Sequence, residues 1–153
     1  MVKNLSLSLL LIFLSGCGFY SIPSAYIDPE FQVYIDKYKQ DKLFYLNTTK
    51  IRRITITFKE MTDLDGECRI VTFGNLIYKK GIVSYRKISI DPDNWNRSSD
   101  IDRMLLVYHE LGHCDLNLMH SAEDTIMNEY SISSDVFSLN PEYYLNALFT
   151  KGK

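Results

Sequence analysis

All three histidines of this 153-residue chain fall between positions 109 and 120. Two of them, in His109-Glu110-Leu111-Gly112-His113, are four residues apart, and that spacing constrains the fold more than any other feature. Side chains at i and i+4 share one face of an α-helix, so both imidazoles can meet a single ion only if this stretch is helical. Glu110 then projects about 100° further round. It misses the ion but reaches a water upon it, the arrangement of a zinc hydrolase helix.

The flanking sequence supports the helix. Ser99 offers an N-cap, with Asp102 three residues later as capping-box partner. Ile101, Met104, Leu105, Tyr108 and Leu111 give an apolar face that continues to about residue 116. Upstream, Asp28-Pro29 opens another helix, with Asp as N-cap and Pro in the first turn. Its stripe is Phe31, Tyr34, Ile35, Tyr38 and Leu43 to Tyr45. Ile54, Ile56 and Phe58 alternate with threonines in the period-two pattern of a half-buried strand. Further strands are expected at Cys68 to Phe73 and Val83 to Ile90, with a turn at Lys79-Lys80-Gly81 and a short strand at Leu76 to Tyr78. Asp91-Pro92-Asp93-Asn94 breaks the last strand, the stretch after residue 116 reads as irregular, and Pro141 to Phe149 reads as a closing helix capped by Asn140. One helix, three or four strands, a second helix and a closing helix make a small α+β domain.

Two histidines leave zinc short of its usual three protein ligands. His120 is the natural third, while Asp115, Glu123 and Asp124 are carboxylates close enough in sequence to compete. For His120 to turn back, the helix must end before it. Asn117 is the residue there best able to take the left-handed backbone conformation.

His109 to Tyr130 resembles the zinc-binding region of the metzincins. The chain has HELGHCDLNLMH where that family has HExxHxxGxxH, so the last histidine comes one residue later and no glycine precedes it. Thr125-Ile126-Met127-Asn128 resembles the metzincin Met-turn, which implies that Met127 lies under the zinc site without touching the metal. The resemblance implies a zinc metallopeptidase holding one Zn²⁺ through His109, His113 and His120. A zinc-activated water would be the nucleophile and Glu110 the general base that later protonates the leaving amine. Tyr130 is placed either as a hydrogen-bond donor to the developing oxyanion or as a packing residue. Two rival readings use the same motif: a zinc-binding or inhibitory protein without turnover, and an amidase acting on cell-wall peptides.

The N-terminus sets the compartment. Leu5 to Leu14 form a signal-peptide core after Lys3, and Leu14-Ser15-Gly16-Cys17 resembles the lipobox of bacterial lipoproteins. That implies removal of residues 1–16, lipidation of Cys17 and a tether up to residue 27 ahead of a catalytic domain over residues 28–153. The alternative is an ordinary signal peptide or an uncleaved anchor. Gly18 beside the lipidated cysteine implies the outer membrane in a Gram-negative host, and the outer face of the plasma membrane otherwise. Export would put Cys68 and Cys114 in an oxidising compartment, where an even pair forms either a disulfide or two buried thiols. A bridge would close a loop of roughly 45 residues, worth about 4 kcal/mol in the chain-entropy model. With 17 basic against 19 acidic residues, no excess of cations marks the chain for nucleic acid. The expected partners are a protein or peptide substrate and a membrane reached through the lipid, with the chain a monomer.

Overall fold

In a computed structural model, residues 24–73 and 83–150 are described. The leader, Cys17, Gly18, the expected strand at Leu76 to Tyr78 and the turn at Lys79 to Gly81 lie outside those residues.

Asp28 starts the first helical segment as the sequence predicts, its side chain accepting from the Glu30 amide. The opening turn, Pro29–Phe31, is a 3₁₀ turn that leads into helix α1, Gln32–Leu46. The helix ends where Asn47 takes φ 54°, a conformation asparagine tolerates. Phe31, Tyr34, Ile35 and Tyr38 are buried, but Leu43 and Phe44 are exposed and Lys42 takes the next inward position. The expected stripe thus fails in its last turn. The inward position there faces a carboxylate, Asp115, rather than hydrocarbon.

Strands β1 (Ile54–Phe58), β2 (Gly66–Phe73) and β3 (Val83–Ile90) form a sheet in the order β1-β3-β2. β3 lies in the centre, parallel to β1 with Ile56 beside Ile88, and antiparallel to β2 with Cys68 beside Ile88. The alternation read from β1 places Ile54 and Ile56 inward, where they meet Ile88 and Ile90 in the core. Tyr26 to Asp28 already hydrogen-bond alongside Ile56, so the folded unit takes in the last residues of the expected tether.

Two short helices were not foreseen: α2, Pro92–Arg97, and α4, Ser134–Leu139. Between them runs α3, Asp100–Cys114, and α5, Pro141–Thr150, closes the fold. Ser99 and Asp102 form the capping pair, and Met104, Leu105, Tyr108 and Leu111 are buried while Ile101 stays partly exposed. Asn140 receives the Tyr143 amide as expected of a cap. Helix α3 packs on β2, on β3 and on α1. A disulfide between Cys68 and Cys114 joins the third residue of β2 to the last residue of α3. The architecture is α+β, with the histidine helix lying across the β2 side of a three-stranded sheet.

Candidate metal centre

Helix α3 carries His109 and His113 on one face, with their Nε2 atoms 3.1 Å apart. The third histidine is delivered by the way the helix stops. Asn117 adopts φ 59°, the left-handed conformation its sequence position predicts. The chain reverses there, with the Leu118 amide donating back to Gly112 O at 2.9 Å. His120 then returns with its Nε2 3.2 Å from that of His109. Beyond it, a turn closed by Asn128 N donating to Thr125 O is tied to the loop by Ser121 N donating to Met127 O. Among the described residues, these three imidazoles form the one group of potential ligands that can share an ion.

The remaining ring nitrogens fix how the rings are used. His109 Nδ1 lies 2.7 Å from Ile126 O, and His113 Nδ1 lies 2.7 Å from Leu118 O. A carbonyl oxygen only accepts, so each Nδ1 carries the ring's hydrogen and each Nε2 presents a lone pair. Lone pairs facing each other at 3.1 Å repel unless a cation lies between them. Two nitrogens about 2.05 Å from a tetrahedral zinc are about 3.3 Å apart, close to the separations found. Burial pushes His109 down to about 4, with the neighbouring imidazoles adding to the effect. Burial also lowers His113. Both rings therefore stand neutral at physiological pH, the form that ligates.

Met127 is buried beneath this helix turn. A Cβ on Gly112 would lie 2.2 Å from its sulfur. Glycine at the fourth position of the motif is therefore what lets the Met127 segment approach closely enough for Ile126 O to orient His109.

Glu110 does not join the imidazole cluster. It is 3% exposed, borders the same cleft as the three histidines, and its Oε2 has no hydrogen-bond partner. Burial raises its carboxyl to about 8, helped by the charge of Glu67. Its other oxygen sits where a Cβ on Gly66 would come within 2.8 Å. Gly66, the first residue of β2, thus makes room for Glu110. No sequence pattern marked it, because the requirement arises from a contact across 44 positions of chain.

The competing carboxylates lie elsewhere. Asp115 is buried and committed: it accepts from Lys42 Nζ, from Tyr38 Oη at 3.0 Å and from the Arg52 amide at 2.9 Å. Glu123 and Asp124 are exposed and do not border the cleft. Tyr130 is 88% exposed, and the cleft is bordered by its neighbours Glu129 and Ser131 instead. The cleft encloses about 640 Å³ and is walled on one side by β2. No protein-family model, curated protein or solved structure matches the chain.

Proposed function

We propose that this chain is a zinc metallopeptidase similar to the metzincins, exported and held at the cell envelope by lipid on Cys17. The observation that carries the reading is the convergence of three Nε2 atoms, two of them held as lone-pair donors by carbonyl oxygens, beside a buried carboxyl with an unpartnered oxygen. A purely structural site has no use for that carboxyl, whose burial is costly. Zinc fits a donor set of three neutral imidazoles with room for a fourth ligand, and when bound it would acidify a water and polarise a carbonyl.

The chain's own residues supply the rest. A nearby dication favours the ionised form of Glu110, offsetting the burial that raises it. Glu110 then accepts the proton of the attacking water and returns it to the leaving amine. Gly66 packs closely against its side chain. Among the described residues β2 pairs only with β3, and its residues Gly66, Glu67, Cys68 and Ile70 border the cleft, so an extended peptide would add to this strand.

The test pairs zinc content with turnover on a general protein substrate. Wild type should hold one zinc, and His120→Ala should lose both zinc and hydrolysis. Glu110→Gln should keep zinc while losing about 10² to 10⁴ in kcat. Full zinc in His120→Ala, or near-wild-type turnover in Glu110→Gln, would refute the proposal.

A further inference from the structure

The walls of the cleft differ from its floor. Asp63, Asp65, Glu67 and Glu129 border it, and no lysine or arginine among the described residues does. This imbalance is local, because the whole chain carries 17 basic and 19 acidic residues. Arg69 is bonded to Glu67 at the surface and Arg86 donates to the Asn117 side chain at 3.0 Å, but neither arginine borders the cleft. Glu67 is therefore half-committed, while Asp63, Asp65 and Glu129 are exposed at the rim. The same cleft holds the unpartnered Glu110 oxygen on a side chain almost wholly buried. Leu64, Ile70 and Met119 add exposed apolar surface between the acids.

A groove whose rim carries several carboxylates and, among the described residues, no lysine or arginine attracts cationic side chains to that rim and repels anionic ones. From this we infer that the cleft selects a cationic peptide segment, with Lys or Arg side chains meeting Asp63, Asp65 and Glu129 and apolar side chains between them covering Leu64, Ile70 and Met119. The inference rests on the metallopeptidase reading for what happens to the bound peptide, but selection itself is a property of binding and is measured separately.

The experiment uses the full-length Glu110→Gln protein and three dye-labelled peptides of one sequence whose central positions carry Lys and Arg, Gln, or Glu. Affinity is read by fluorescence anisotropy. An exposed ion pair shifts an equilibrium by about 1.4- to 5-fold, so three together should favour the cationic over the neutral peptide by about 3- to 125-fold, and over the acidic peptide by more. The preference should shrink between about 0.02 M and about 0.5 M NaCl as screening shortens to a few ångströms. The triple variant Asp63→Asn/Asp65→Asn/Glu129→Gln, made in the same background, should bind all three peptides alike. Equal affinities for the cationic and acidic peptides would overturn the inference, as would a preference that survives the triple variant. Wild-type cleavage of the same peptides reports separately. Selective binding without cleavage supports the acidic groove and sinks the peptidase, whereas cleavage without selective binding does the reverse.

Discussion

Replacing Asp115 by Asn should destabilise the fold severely, although the change alters one atom. The carboxylate is 4% exposed and accepts from Lys42, Tyr38 and the Arg52 backbone. Asn retains one oxygen for the Arg52 amide but turns an NH₂ towards the Lys42 ammonium and the Tyr38 hydroxyl. Lys42, itself 6% exposed, keeps only the Lys50 carbonyl at 2.8 Å. Removing one partner of a buried ion pair costs about 3–5 kcal/mol because the other charge stays buried without compensation. Domains of this kind have about 5–15 kcal/mol in total, so the loss is a large share of stability. Urea unfolding of the disulfide-intact protein measures it. The companion variant Lys42→Met/Asp115→Asn removes the stranded charge and should recover about 1–3 kcal/mol, the coupling expected of contacting residues. A single-variant loss below about 1 kcal/mol would refute the reasoning, as would a double variant no more stable than the single.

Three further perturbations test the supports of the site. Reducing the Cys68–Cys114 bridge releases a 46-residue constraint and should lower stability by about 4 kcal/mol in urea unfolding, reversibly on reoxidation; a change below about 1 kcal/mol would mean that β2 and α3 hold together without it. Gly112→Ala should lose about 1–3 kcal/mol from crowding Met127, despite a helix-propensity gain of about 1 kcal/mol, and Met127→Ala should relieve the crowding when combined with it. Asn117→Gly should be tolerated, whereas Asn117→Val should cost at least about 1 kcal/mol more, because a β-branched side chain resists the left-handed backbone there; equal thermal midpoints for the two variants would contradict this.

The features that could be read from the sequence obey local rules. The His109 and His113 spacing, the Ser99 cap, the Ile54 and Ile56 alternation and the turn at Asn117 each need only a few consecutive residues to be recognised. Cys68 and Cys114 were paired by count and compartment rather than by geometry. What escaped was either short or tertiary. Helices α2 and α4 have six residues each, under two turns, so no periodicity develops. Lys42 looks like a solvated residue, and Asp115 like a spare ligand, until helix packing brings them together across 73 positions. Gly66 and the acidic rim likewise have no signature along the chain, since their meaning comes from the groups facing them.

The supports converge on one stretch, residues 114–127, which is almost free of regular structure yet must place His120 within about 3 Å of His109. A loop of this kind is costly to order through backbone entropy, and the chain fixes it at its start, its middle and its end. At the start, Cys114 is bridged to β2 and Asp115 is held by α1 through Lys42 and Tyr38. In the middle, Arg86 of β3 donates to the Asn117 side chain and Leu118 O receives His113. At the end, Ser121 is bonded to Met127, which Gly112 admits against the helix. The anchors come from several elements, so the imidazoles are positioned by the fold itself. A group of three imidazoles held this way could hold a metal ion without the loop having to be ordered by it.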